Sequence, residues 1–388
     1  MRHFGHIAPE TRTRLFHREP CVFTPDSPAR LLAAALGATL YSPATRPRLA
    51  DDILKQAGRG VVSMVLCLED SIDDADVGPG EENLVRQFKA LDGLPDADLP
   101  LLFIRVRAPE QIPDLVRRLG TSARLLSGFV LPKFTAERGI PFLEALASAE
   151  AESGRRLFAM PVLESPELLY RESRVETLEG ISRAVDKYRD RVLALRLGVT
   201  DFCSSYGLRR GPDMTAYDVQ IVASVIADVV NMLGRADGTG FTVTGPVWEY
   251  FRVQERMFKP LLRQSPFLEV QAAELREKLI EHAMDGLLRE ISLDQANGLL
   301  GKTCIHPSHV LPVHALSVVS HEEFSDAQDI LRPERGGGGV LRSSYTNKMN
   351  EVKPHRAWAE RTLLRAEVFG VANEDIGFVE LLAAGLPG

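Results

Sequence analysis

Two apolar stretches decide the fold of this chain: LFAMPVL at 157–163 and VLALRL at 192–197. Each is nearly continuous in apolar side chains, which is typical of a parallel strand that is covered on both faces. A charged stretch with helical periodicity lies between them, from Pro166 to about Val185. Strand, helix and strand form a βαβ unit, and its crossover makes the two strands parallel and adjacent.

A carboxylate follows each of these two strands. The first strand is followed by Glu164, and the second, after a short turn, by Asp201 in GVTDF. Parallel strands share one carboxyl edge, where α/β folds keep their functional residues, so we expect both carboxylates there. Two hard oxygen ligands at one edge are suited to Mg²⁺. The structural alternative is that Glu164 caps the following helix and Asp201 closes a turn.

The same alternation of strands and helices extends along most of the chain. Further strands are predicted at 38–42, 61–68, 101–106, 128–131, 241–244 and 302–305. Eight strands alternating with helices over about 280 residues favour a (β/α)₈ TIM barrel over an open doubly wound sheet. A largely helical stretch at about 248–300 is longer than one crossover requires.

The organisation of the chain follows from this pattern. We predict three regions: an N-terminal extension at 1–30, a TIM-barrel catalytic domain at 31–320 and a C-terminal helical arm or lid at 321–388.

Within the last region, Ser320 and Glu323 form a capping-box pattern that predicts a helix. Four glycines at 336–339 predict a flexible joint, since a phosphate-binding loop would need a GK[ST] ending. A further helix is expected at 354–369, and a disordered linker is the alternative to a hinged arm.

Composition limits the classes of function. Apolar residues make up 45% of the 388 residues, which is enough for a sizeable core. A formal charge of −7 disfavours nucleic acid or an anionic membrane as the main partner. The four cysteines have neither a zinc-ligand nor a disulfide spacing, and Cys67 and Cys304 fall in predicted strands. No signal segment or membrane-spanning stretch is apparent, so a cytoplasmic location is expected.

The predicted carboxyl edge of the barrel collects many polar side chains. They are Ser42, Glu69, Asp70, Arg105, Lys133, Glu164, Asp201 and the pair Arg209 and Arg210. Four carboxylates and several cations exceed what a solvated edge needs, which predicts a functional rim. Each residue also has a structural alternative: Asp70 caps a helix, Arg105 pairs with Glu69, and Lys133 is solvated.

Eight short motifs follow one another along the chain. They are LYSPATRP at 40–47, LCLEDSIDDAD at 66–76, FIRVR at 103–107, VLPKF at 130–134, VLESP at 162–166, LGVTDF at 197–202, GKTCIHPSHV at 301–310 and NKMNE at 347–351. In this order they resemble the citrate lyase β-subunit branch of the HpcH/HpaI aldolase superfamily. The N-terminal FGHIAPETRTRLF and the four glycines look more like a bacterial branch called a C–C bond lyase, which is found near tellurium-resistance genes.

The resemblance implies a metal-dependent carbon–carbon lyase that uses Mg²⁺, or Mn²⁺ in its place. The substrate would be a small β-hydroxy or keto acid or its CoA thioester, cleaved through a metal-stabilised enolate. The resemblance implies that Glu164 and Asp201 bind the metal and that Arg105 binds the substrate carboxylate. Asp70 and Glu69 would lie beside the metal or act as a base. Further substrate contacts are implied for Ser42, Lys133 and Arg209. For His306, a structural hydrogen bond is favoured over a catalytic role.

The resemblance also concerns the C-terminal arm. In the family this arm carries an Asp that acts as general acid in a neighbouring subunit's site, and Glu351 takes that position here. Glutamate can transfer the same proton if its backbone lies slightly further away. A homo-oligomer, built on trimers, is therefore implied. If the alignment slips by one residue, Asn350 falls at this position and acid catalysis from the arm is lost.

Two other functions remain open at this stage. The same chemistry can run in reverse, as an aldol or Claisen condensation. A barrel that has lost catalysis could instead bind a ligand within a multiprotein complex encoded by its gene cluster.

Overall fold

A computed structural model of the chain describes residues 1–94, 98–251, 284–332 and 339–385. Its main sheet has eight parallel strands: Ala38–Pro43, Ser63–Cys67, Leu101–Arg105, Leu126–Leu131, Phe158–Leu163, Leu195–Leu197, Val243–Thr244 and Lys302–Cys304. The first seven pair in chain order, and the eighth pairs with the first. A parallel bridge between Gly245 and Lys302 closes the sheet, so the predicted TIM barrel is confirmed.

Helices surround the barrel. Those that follow the strands in chain order are Leu49–Ala57, Val77–Asp92, Gln111–Leu119, Ala136–Ser153, Arg174–Lys187, Val199–Ser204, Gln220–Leu233, Asp285–Ala296 and Val310–Ser317. The described part of the chain contains no helix with the length and apolar character needed to cross a bilayer.

The strands are apolar on both faces because each face packs in a different core. Leu66 and Ile104 belong to the large cluster between the sheet and the helices, whereas Val65 and Phe103 belong to the cluster inside the barrel. Side chains alternate between the two faces of a strand, so the residue two after Phe103 also lies on the inner face. That residue is Arg105, which is how the strand places a guanidinium at the barrel mouth.

A buried ion network joins the last strand to helix Asp285–Ala296. Lys302 Nζ lies 2.8 Å from Glu290 Oε1 and 2.7 Å from Asp294 Oδ2. Arg210, which we expected at the functional rim, is buried with its Nη1 2.7 Å from Glu290 Oε2. The charge of Arg210 is therefore paired within the fold.

The N-terminal extension has more structure than its weak periodicity predicts. It contains the helix Pro9–Leu15 and the strand Phe16–Arg18, which pairs with Val371–Ala372. A second helix, Ala29–Ala35, leads into the barrel. The two ends of the chain are thus tied together.

The predicted helical stretch at 248–300 is described only in part. Residues 252–283 lie outside the described ranges, the helix Asp285–Ala296 is present, and Trp248 is buried in a segment without helical structure. The last barrel strand ends at Cys304, one residue earlier than expected.

The C-terminal region is built on the predicted capping box. The Ser320 side chain accepts a hydrogen bond from Glu323 N–H, and the helix His321–Ile330 follows. The strands Val340–Arg342 and Met349–Glu351 then form a hairpin, which was not predicted from the sequence. Glycines 336–338 lie outside the described residues.

The hairpin packs on its own chain through Asp326, a buried residue of the preceding helix. The Ser343 hydroxyl and the Asn350 side-chain amide donate hydrogen bonds to Asp326 Oδ1 at 2.7 and 2.8 Å. The helix Val352–Phe369 follows, and Val368 and Phe369 at its end pack in the cluster inside the barrel, with Leu101 at the start of a strand. The helix therefore runs towards the amino-terminal end of the barrel, opposite the rim.

Candidate active site

The guanidinium of Arg105 lies among three carboxylates at the mouth of the barrel. Its Nη2 is 2.6 Å from Glu69 Oε2, 3.1 Å from Asp70 Oδ2 and 2.9 Å from Glu164 Oε1. The structural alternative for Arg105 is thus partly realised, since it does pair with Glu69. The same contacts bring together side chains that follow three different strands.

Lys133 enters the cluster through both its backbone and its side chain. Its N–H donates to Glu164 Oε1 at 2.8 Å, and its Nζ lies 2.9 Å from Glu69 Oε1. The backbone of Lys133 has a φ of 48°, a left-handed conformation that is uncommon for a residue with a side chain. Such conformations are concentrated at functional sites, where the surrounding structure holds them.

Asp201 completes a compact group of oxygen ligands. It lies in the short helix Val199–Ser204, and one oxygen from each of Asp70, Glu164 and Asp201 lies within 4.8 Å of the other two. With Glu69, the site has four carboxylates, and the cationic side chains that contact them among the described residues are Arg105 and Lys133. Full ionisation would leave two negative charges uncompensated. A single divalent cation with oxygen ligands fits both this charge and this donor set.

The pKa values of the carboxyl groups in this cluster reflect the excess of negative charge. Burial raises the pKa of Glu164 to about 7, and the charge of Asp201 adds to this rise while Arg105 opposes it. Burial, followed by the charge of Asp70, also raises the pKa of Asp201. Both carboxyl groups therefore resist ionisation in the protein alone, and nearby positive charge would relieve that resistance.

Gly198 allows the two metal-ligand candidates to come close together. A Cβ atom added at Gly198 would lie 2.3 Å from Glu164 Cβ and 2.5 Å from Glu164 Oε2. Its φ of −96° is open to any residue, so the requirement for glycine is steric rather than conformational. This role was not predicted, although the glycine that opens GVTDF is visible in the sequence.

The remaining predicted residues lie apart from this cluster. Ser42 is buried on the same face of its strand as Leu40, which packs against the helices. Arg209 is exposed beside the buried Arg210, and Glu351 is exposed at the end of the hairpin. His306 Nδ1 lies 2.7 Å from the Ser308 hydroxyl and caps a short turn, in agreement with the structural role that we favoured.

A cleft of about 730 Å³ opens beside the carboxylates. Glu69, Asp70 and Lys133 belong to its lining, which also includes Ile72, Arg107, Pro109, Arg138 and Phe142. The cleft thus combines charged and apolar side chains, as is typical of sites for small organic ligands.

The family model described as a C–C bond lyase of the TIM-barrel fold matches residues 30–371. The chain belongs to this family. The family that we predicted from the motifs is therefore confirmed, and membership identifies the protein as a carbon–carbon lyase. No curated protein sequence matches the chain.

Several solved structures share the fold. Mycobacterium tuberculosis CitE in complex with magnesium, acetoacetate and coenzyme A is 20% identical, with a TM-score of 0.51, over 86% of this chain and 99% of that one. A Burkholderia xenovorans citrate lyase is 15% identical, with a TM-score of 0.60, over 89% and 96%. Haloferax volcanii malate synthase with magnesium and glyoxylate is 14% identical, with a TM-score of 0.50, over 71% and 73%. At these identities the similarity concerns the fold alone.

The close packing at Gly198 gives a direct test of the carboxylate cluster. Gly198→Ala should push the Glu164 side chain away from Asp201 and weaken Mg²⁺ binding by roughly 10- to 100-fold, as loss of ligand orientation does elsewhere. Isothermal titration calorimetry measures this affinity. Gly211→Ala is the matched control, because a Cβ there would meet no atom nearer than 3.9 Å. Wild-type affinity in Gly198→Ala would mean that this contact does not set the site.

Proposed function

We propose that the protein is a Mg²⁺-dependent carbon–carbon lyase that cleaves a small β-hydroxy or keto acid, free or as its CoA thioester. The observation that carries the proposal is the group of Asp70, Glu164 and Asp201 oxygens within 4.8 Å of one another at the barrel mouth. Mn²⁺ would satisfy the same oxygen donors. CitE, which shares the fold, has been crystallised with magnesium, acetoacetate and coenzyme A, which supports this class of ligand.

The metal proposal accounts for the charge of the site. Glu164 and Asp201 would be protein ligands, and Asp70 would join them directly or through water. A bound divalent cation supplies positive charge that stabilises the oxygen on which negative charge develops as the carbon–carbon bond breaks. The raised pKa of Glu164, about 7, agrees with a carboxylate whose usual partner is a cation.

Arg105 is the proposed binding group for the substrate carboxylate. Its guanidinium has five N–H donors, and the three carboxylate contacts described above all involve Nη2. Its Nε is buried and has no hydrogen-bond partner among the described residues. Arginine therefore keeps donors for a planar carboxylate, a geometry that lysine cannot reproduce.

Proton transfer is assigned to the carboxylates beside Arg105. Burial, followed by a hydrogen bond with the Asp70 side chain, raises the pKa of Glu69, whereas Arg105 and Lys133 oppose the rise. Asp70 is more exposed, and hydrogen bonding and the nearby cations lower its pKa, so it is ionised and can act as a base. Lys133 holds Glu69 in place and extends positive charge into the cleft. Arg209, which is exposed, is retained as a proposed substrate contact, whereas Ser42 is not, because its side chain lies on the strand face that packs against the helices.

The reverse reaction, an aldol or Claisen condensation, uses the same residues. Malate synthase, whose complex contains magnesium and glyoxylate, shares the fold. This similarity supports condensation as the second candidate reaction. Equilibrium and the available substrates decide between the two directions.

The lyase proposal predicts that metal binding and turnover are lost together. Glu164→Gln and Asp201→Asn remove a charged ligand with little change of shape, so each should abolish Mg²⁺ binding and lower turnover by at least about 100-fold. Calorimetry and a Mg²⁺-dependent assay over a panel of acyl-CoA thioesters and free hydroxy acids measure the two effects. Glu172→Gln, at an exposed position on the same side of the fold, is the control. Unchanged Mg²⁺ binding in both site variants would refute the proposal.

The proposed assembly is a homo-oligomer, built on trimers, in which Glu351 of one copy acts as general acid in another. Within its own chain, Glu351 is exposed, and its N–H donates to His355 Nδ1 at 3.0 Å. Its hairpin partner Val340 and its neighbour Met349 are both 58% exposed. Exposed apolar side chains around an acidic residue suit a contact with a second copy.

Complementation tests this assembly. Asp201→Asn chains and Glu351→Gln chains should each be inactive, and subunit exchange between them should restore activity because some mixed sites pair an intact rim with an intact arm. The matched control mixes Asp201→Asn with Glu164→Gln chains, whose defects lie in the same rim and cannot complement. No recovery after mass spectrometry has demonstrated exchange would mean that Glu351 acts within its own chain or has no catalytic role.

A further inference from the structure

The side chain of Arg107 is bound along the loop that follows the second barrel strand, Ser63–Cys67. Its Nε donates to the Leu68 carbonyl at 2.6 Å, and its Nη2 donates to the carbonyls of Glu69 and Ile72 at 3.1 and 2.9 Å. Its Nη1 forms an ion pair with Asp74. One guanidinium thus binds four residues of the loop 68–74, namely Leu68, Glu69, Ile72 and Asp74.

Arg107 is itself held in position from the other side. Gln111, in the next helix, accepts hydrogen bonds from the N–H groups of Arg107 and Ala108 at 2.6 and 3.1 Å. The Gln111 amide in turn donates to Glu81 Oε1 at 2.6 Å. The backbone of Arg107 is therefore held by the start of the next helix, and its side chain binds the loop.

The loop fixed in this way carries two of the site carboxylates. Glu69 contacts Arg105 and Lys133, and Asp70 supplies one of the three clustered oxygens. The carbonyls that Arg107 binds are those of Leu68, Glu69 and Ile72, which follow the end of the strand at Cys67. The hydrogen bonds between neighbouring strands therefore do not fix all three of them. A shift of about 1 Å in such a segment is enough to impair a catalytic arrangement.

We infer that Arg107 is a positioning residue that fixes Glu69 and Asp70 for cation binding, and it lines the cleft together with these two carboxylates. The inference rests on the proposed metal site. It differs from the role of Arg105, because Arg107 acts on the backbone of the loop and Arg105 acts on its side chains.

Lysine and methionine at this position separate the possible roles. Arg107→Lys keeps the charge, but one ammonium group cannot reproduce the planar set of donors that reaches three carbonyls. Arg107→Met keeps a long side chain and removes every donor. The matched control is Arg189→Lys, since Arg189 also binds two carbonyls, those of Thr239 and Gly240, together with Asp186, at the opposite end of the barrel.

Two measurements test the inference. Calorimetric titration with Mg²⁺ should give a Kd that is roughly 10- to 100-fold higher in both Arg107 variants and unchanged in Arg189→Lys. Hydrogen exchange of the amides at 68–76 should be faster in Arg107→Lys, whereas exchange in the barrel strands and the thermal unfolding midpoint should stay close to the wild-type values.

The outcomes distinguish the inference from the proposed function. Wild-type Mg²⁺ affinity together with wild-type exchange at 68–76 in Arg107→Lys would overturn the positioning role. A wild-type protein that binds no Mg²⁺ would overturn the metal site, and the exchange at 68–76 would still decide whether Arg107 fixes the loop. A general fall in unfolding temperature, without a specific change at 68–76, would reduce Arg107 to a structural residue.

Discussion

The contact between the Arg105 guanidinium and the carboxylates of Glu69, Asp70 and Glu164 is the interaction on which the site depends. It joins the ends of three barrel strands through one cation. Without it, Lys133 would be the one cationic side chain in contact with the four carboxylates among the residues that the structure describes. Because the guanidinium is buried, loss of its charge would leave the carboxylates both unpaired and desolvated, which is costly.

The arrangement has a simple consequence for the chemistry. The excess negative charge of the cluster and the raised pKa values of Glu164 and Asp201 favour a divalent cation at this place. The left-handed backbone of Lys133 and the absence of a side chain at Gly198 show that local geometry has been adapted to bring these groups together. The cleft beside them, about 730 Å³ in volume, offers room for more than a small acid.

Much of this architecture could be predicted from the sequence. Continuous apolar runs predicted the barrel strands because both faces of those strands are buried. Once a strand is known, a carboxylate that follows it can be placed at the carboxyl edge of the sheet. The period of two along a strand also places Arg105 inwards. What could not be predicted depends on contacts between distant segments: the pairing of Arg210 with Glu290, the docking of the hairpin on Asp326, and the strand pairing of Phe16–Arg18 with Val371–Ala372. None of these has a local periodic signal.

The central claim is that the oxygens of Asp70, Glu164 and Asp201 form a site for one divalent cation. Anomalous X-ray diffraction from crystals grown with Mn²⁺ tests it most directly, because the manganese signal locates the ion independently of any assay. The account predicts a single strong peak within coordination distance of Glu164 and Asp201 at the barrel mouth. A well-ordered site without this peak, or a peak held by other residues, would contradict it.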